Sequence, residues 1–171
     1  MSVSSKAVED LLSSLNLAYR IQQHAPITSI QEAMESGVLI DLGITVNSTV
    51  KNLLLSSSDG NCYLLVAPGM GRVDLKDVAK QIASKRLSFA SLNTFGTVFG
   101  ESKGQVTLFD LLDSNERVRK VQLVLDSRVS KIVGNTAFHI GSNHVSALVK
   151  AEDVPTIAKA IQPSYLTYSK D

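Results

Sequence analysis

Few side chains in this chain are spaced to do chemistry, and the most conspicuous is Lys51, the one charged residue in Thr49-Val50-Lys51-Asn52-Leu53-Leu54-Leu55. A lysine in such a strand either snorkels into water from an edge or projects into a cleft. In a cleft, its three N–H donors on a compact charge can hold a phosphate or a polarised carbonyl. The histidines are His24, His139 and His144, and the last two lack the His-x-x-x-His spacing of a zinc-binding helix. His24 and His144 read as surface groups. Cys62 is the only cysteine, which excludes an intrachain disulfide and a multi-cysteine metal site. Its apolar setting reads as a buried structural thiol. Gly69-Met70-Gly71 lacks both the Lys-Ser/Thr ending of a phosphate loop and the third glycine of a dinucleotide fingerprint. There is no Gly-x-Ser-x-Gly nucleophile elbow. The chemistry must rest on few groups, and neither a metal nor a cofactor is expected.

Those groups need a scaffold, and the bulk numbers describe it. A hydrophobic fraction of 44% and a charged fraction of 19% are globular values, and 171 residues suit a single domain over 1–171. A net charge of +1 is not the footprint of a protein that grips a long nucleic-acid backbone. DNA is therefore not an expected partner, and RNA contact is expected at one end of the RNA or shared with another protein. No apolar run reaches the roughly 20 residues that span a bilayer, and the first residues lack a secretion signal. The expectation is a cytoplasmic protein without a membrane partner.

Ser4 or Ser5 can cap a first helix carrying Val8, Leu11, Leu12 and Leu15. Ser29-Ile30-Gln31-Glu32 has the form of a capping box, and Gly37 ends the helix after it. Strands are expected at 38–40, 50–55 and 63–66, the last two joined as a hairpin across Ser56-Ser57-Ser58-Asp59-Gly60. Asp74 caps a helix bearing Leu75, Val78, Ala79 and Ile82, and a short strand follows at 87–90. A second strand block covers 118–125, 136–140 and 146–149. A closing helix begins near Asp153, with Pro155 tolerated in its first turn. Strands and helices do not alternate regularly. The fold expected is α+β, a mixed, largely antiparallel sheet with flanking helices.

Several segments, taken in order, resemble one family. The Lys51-Asn52-Leu53 strand resembles that of the YbaK-like, prolyl-tRNA-synthetase-associated editing proteins, which include the free-standing Ala-tRNA(Pro) deacylases. His24-Ala25-Pro26 leading into a helix looks like the family's His-Pro segment. Lys85-Arg86-Leu87-Ser88-Phe89-Ala90 matches its basic strand. Gly104-Gln105-Val106-Thr107-Leu108-Phe109 resembles its glycine loop, and Phe138-His139 with Asn143 its Phe-His-Pro-x-x-Asn segment. The series spans roughly residues 19–161.

The resemblance implies an aminoacyl-tRNA hydrolase needing no metal. An aminoacyl ester is already activated, so orientation and charge stabilisation count for more than a strong nucleophile. By that analogy Lys51 and Gly104 are catalytic. Lys51 fixes the terminal adenosine and ester, and backbone N–H groups at Gly104 face the ester carbonyl. Asn52, Thr107, His139 and Asn143 bind substrate. His139 could equally be a satisfied strand histidine, and Asn143 a turn residue beside Gly141. The partners implied are the acceptor end of aminoacyl-tRNA and a prolyl-tRNA synthetase. The basic clusters Lys85-Arg86 and Arg117-Val118-Arg119-Lys120 read as solvated faces or phosphate contacts. Lys51-Asn52 looks most like the alanine-specific branch, pointing to Ala-tRNA(Pro). Leu108 stands where the family's loop generally has proline, Asp110 where a small residue is common, and Ile140 where proline often follows the histidine. These departures keep open a second reading, a module that binds tRNA ends or a synthetase without turnover.

Overall fold

The computed structural model describes residues 3–100 and 105–171. Helix α1 (Ser5–Ser14) starts as expected, with the Ser4 hydroxyl accepting from the Ala7 N–H at 3.1 Å. It buries Val8 and Leu12. Strand β1 (Tyr19–Gln23) follows. Helix α2 (Ile30–Ser36) is capped by Ser29, whose hydroxyl accepts from the Glu32 N–H at 3.0 Å. The return bond differs from a standard capping box, because the Glu32 carboxylate accepts from the backbone N–H of Thr28 at 3.1 Å.

Gly37 takes φ +80° and ends α2. The next segment corrects an expectation: 38–40 is not a strand but the start of helix α3 (Val38–Leu42). Val38, Leu39 and Leu42 form its buried face and Ile40 is 83% exposed, a helical spacing that a strand reading of three apolar residues cannot see.

Strands β2 (Val50–Ser57) and β3 (Cys62–Pro68) form the expected hairpin, with Lys51 opposite Ala67 and Asn52 opposite Val66. Helix α4 (Leu75–Gln81) is capped by Asp74. Strand β4 (Leu87–Phe89) pairs with β2, and helix α5 (Leu92–Phe99) then runs under a Ser91 cap. The expected strand 118–125 is two elements: helix α6 (Glu116–Arg119), capped by Asn115, and strand β5 (Gln122–Asp126). Strands β6 (Asn135–Ile140) and β7 (Ser142–Lys150) form a second hairpin. Helix α7 (Val154–Ile161) carries Pro155 in its first turn, and strand β8 (Leu166–Tyr168) closes the order.

The strands make two sheets, β1-β7-β6 and β4-β2-β3-β5-β8. The first is antiparallel throughout. In the second β3, β5 and β8 run parallel, so the fold is α+β with a mixed, mostly antiparallel strand arrangement. Strand alternation sorts the side chains into layers. Leu54, Leu64 and Val66 share the main core with Phe138, Ile140, Ala147 and Val149 of the other sheet, together with α1 and α7. Leu55, Leu65 and Ala67 turn the other way, toward α4. Leu148 and Ala137 turn outward from the smaller sheet, toward α2 and α3. No helix among the described residues is long and apolar enough to cross a membrane.

Candidate active site

A cleft of about 300 Å³ opens where α2 and α3, strand β6, the start of β2 and the 105–107 segment meet. Its apolar wall is built by Ile27, Ala33, Leu39, Leu42 and Ile44, and polar side chains of β2, β6 and the 105–107 segment face that wall, the mix found in most small-molecule sites. Lys51, Asn52, Thr107 and His139 all line it, so four of the residues read from sequence, drawn from three separate segments, share one hollow. Asn143 does not line it. It lies at the start of β7, where its carbonyl accepts from the Ile27 N–H at 3.1 Å and anchors the segment before α2. Gly104 lies outside the described residues.

Neighbouring residues of a strand point to opposite faces, so Lys51 and Asn52 serve the cleft differently. Lys51 follows the face of Leu53 and Leu55, and its ammonium sits at the rim, donating to the Gly71 carbonyl in the loop after β3. Burial, and then the nearby Arg128 guanidinium, depress its pKa, while Asp126 works in the opposite direction.

Asn52 faces the other way and acts first as a strut. Its Oδ1 accepts from the backbone N–H of Leu108 at 2.9 Å. A backbone N–H can only donate, so that bond fixes the amide orientation and leaves the Nδ2 hydrogens for a ligand. Leu108 replaces the proline of the family pattern, and a proline there would have no hydrogen to give. Asp110 has a similar structural purpose: its carboxylate accepts from the Thr107 N–H at 2.7 Å and closes the 3-10 turn Leu108–Leu112. The Thr107 hydroxyl donates to the His139 carbonyl at 2.8 Å, which ties this turn to β6. Ile140, in the other proline position, is a buried core residue just past an irregularity in the β6–β7 register.

His139 stands opposite Ser146 across β6 and β7, on the face with Ala137. Burial, reinforced by the neighbouring His24 ring, pushes its pKa down to about 4, so the ring is neutral at physiological pH. Ser146 is 1% exposed, and its hydroxyl lies 3.3 Å from His139 Nδ1 and 2.8 Å from His24 Nε2. The two rings are 5.8 Å apart. Reading His24 as a surface group missed this contact. The signal was present in the alternation of β1, where Gln22 pairs with Ser146 and His24 lies two residues on, on the same face. His144 is exposed. Cys62 is half-buried against the core, and burial raises its thiol pKa, which suits a structural residue.

The family model described as the aminoacyl-tRNA editing domain matches residues 24–157, a span holding every described element that lines the cleft. The chain belongs to the YbaK/ProX-like aminoacyl-tRNA editing domain family. Among the relatives of this editing domain is the prolyl-tRNA editing protein ProX of Acetoanaerobium sticklandii, 33% identical over 160 residues that make up 92% of each chain. The fold recurs in solved structures. A hypothetical protein superposes with TM-score 0.68 at 15% identity, over 94% of this chain and 96% of its own. A candidate trans-editing enzyme for prolyl-tRNA synthetase superposes with TM-score 0.65 at 17% identity, over 98% of each chain. Among the described residues of the editing domain, no three His, Cys, Asp or Glu side chains cluster as metal ligands.

Proposed function

We propose that this editing domain is a trans-acting hydrolase that cleaves the ester of mischarged aminoacyl-tRNA, with Ala-tRNA(Pro) as substrate. The observation that carries the reading is the convergence of Lys51, Asn52, Thr107 and His139 on one largely apolar cleft in a member of the editing family. The name of the 33% identical relative, a prolyl-tRNA editing protein, supports tRNA(Pro), and Lys51-Asn52 favours alanine.

In this reaction water adds to the ester carbonyl carbon, and the bond to the ribose oxygen then breaks, releasing the amino acid and a free hydroxyl. The rim ammonium of Lys51 exchanges its Gly71 carbonyl for a phosphate or ester oxygen of the incoming 3′ end. The Nδ2 hydrogens of Asn52 bind a second oxygen. The wall from α2 and α3 surrounds the small side chain and limits bulkier ones, a discrimination worth about 10- to 200-fold per methylene. Backbone N–H groups near Gly104 complete the carbonyl site in this proposal. Among the described residues, the lack of clustered His, Cys, Asp and Glu side chains favours hydrolysis without a metal. A prolyl-tRNA synthetase is the proposed partner, in the cytoplasm.

The deciding assay charges tRNA(Pro) with alanine, cysteine, serine or proline and follows deacylation by the purified protein and by Lys51→Ala. Fast loss of alanine alone, abolished in a folded Lys51→Ala, is the expected result. Tight binding of the charged tRNA without turnover of any ester would show a binding module instead.

A further inference from the structure

Outside the groups that the proposed reaction requires, one hydrogen-bonded chain takes a single polarity when the His24 ring is neutral. His24 Nδ1 lies 2.8 Å from the Ala25 carbonyl, which can only accept, so Nδ1 carries a proton, and in a neutral ring that is its only N–H. His24 Nε2 is then an acceptor, and the Ser146 hydroxyl 2.8 Å away must donate to it. With its hydrogen so committed, Ser146 Oγ can only accept from His139 Nδ1 at 3.3 Å. His139 is left with an unprotonated Nε2, to which no described residue is bonded, in a ring that lines the cleft. We propose that His24, acting through Ser146, locks His139 in the Nδ1–H tautomer, so that its Nε2 lone pair accepts a hydrogen bond from the free α-ammonium group of the bound amino acid.

This inference rests on the deacylase reading for its ligand and adds two positioning residues to it. Several facts support an acceptor over other roles. A ring that resists protonation down to about pH 4 is a weak base for activating water, yet it remains a good acceptor for a charged donor. Ser146 is 1% exposed and donates to His24, so it is a link and not a nucleophile. The pair is also placed by the sheet itself: Ser146 sits between β1 and β6 partners, directly opposite His139 and diagonal to His24. The carboxylates that could compete for the ammonium, Glu32 and Asp110, are engaged with Thr28 and Thr107.

The test separates the tautomer from catalysis. Two-bond 1H–15N spectra of 15N-histidine-labelled protein should show His139 with a protonated Nδ1 and a bare Nε2. Ser146→Ala and His24→Phe should each release that preference, while His24→Gln, whose amide oxygen can take the Ser146 proton, should restore it. A stable amide analogue of 3′-alanyl-adenosine should bind the wild type about 10- to 100-fold more tightly than its N-acetyl counterpart, as expected for one bond to a charged donor. That ratio should collapse in Ser146→Ala and His24→Phe and return in His24→Gln. An unchanged His139 tautomer in Ser146→Ala and His24→Phe overturns the proposal, as does an unchanged binding ratio. Absence of turnover in the wild type, with both shifts present, would count against the deacylase reading and leave the relay standing.

Discussion

Acidification tests whether His139 is held neutral, and the size of its effect follows from the site. An unfolded chain protonates this ring as the pH falls through about 6.5, whereas the native ring holds out until about 4. Above 6.5 the ring is neutral in both states and contributes no pH dependence. Between 6.5 and 4 only the unfolded state takes up the proton, so native stability falls as the pH is lowered across that window. At about 1.36 kcal/mol per tenfold change, the gap amounts to about 3 kcal/mol. Urea denaturation followed by far-UV circular dichroism suits a chain with no tryptophan. Measured from pH 7.5 to 4.5, wild type should lose stability faster than His139→Gln, which has nothing to protonate there. Subtracting the two curves removes the carboxylates common to both. A flat difference across the window would mean the ring is already charged or solvated in the native state, and the acceptor role would lose its basis.

Other sites give sharp expectations. Asn52→Ala leaves the Leu108 N–H without its acceptor and should cost about 1–3 kcal/mol, read as a lowered urea midpoint. In a cycle with Leu108→Pro, which removes the donor, the double variant should lose less than the two single losses added together. A Cβ at Gly69 would lie 2.1 Å from Thr49 Oγ1 and 2.8 Å from Ile30 Cδ1, both on cleft residues. Gly69→Ala should therefore cost about 1–3 kcal/mol in overpacking and raise KM in the deacylation assay. Arg128 holds the fully buried Asp126 carboxylate at 2.7 Å. Arg128→Met should destabilise the fold by on the order of 3 kcal/mol in the same denaturation assay.

Much of this was legible in the sequence where a local rule was strong. The Ser29 cap, the Asp-Gly hairpin turn and the Asp74 cap each depend on side chains reaching their own backbone within a few residues, and each formed as expected. Three-residue apolar runs were less informative. At 38–40 the deciding residue was Leu42, whose burial completes a helical face. At Val118-Arg119-Lys120, where only the valine is apolar, the Asn115 cap starts a helix and the strand begins at Gln122. Strands β1 and β8 went unread because their stability comes from partners more than 40 residues away in sequence, Val145–Val149 and Val124–Asp126. The same limit applies to the site. Lys51 and Asn52 could be picked from a strand, but the donor they would meet, in Leu108, and the bridge between His24 and His139 exist only after the sheets form.

The departures from the family pattern gain meaning at that level. A proline in a loop stiffens it by fixing φ and gives up a donor. Here the loop is held instead by three hydrogen bonds: Leu108 N–H to Asn52, Thr107 N–H to Asp110, and Thr107 hydroxyl to the His139 carbonyl. Two of the three use the very residues that differ from the pattern, Leu108 and Asp110. The third ends on the histidine whose ring lines the cleft, so the turn and β6 are fixed relative to each other. Hydrogen bonds that also orient Asn52 thus hold the turn where the family pattern has a proline ring. The Thr107 and Leu108 N–H groups are themselves committed to these bonds, so the two departures serve to hold the turn against Asn52 and β6.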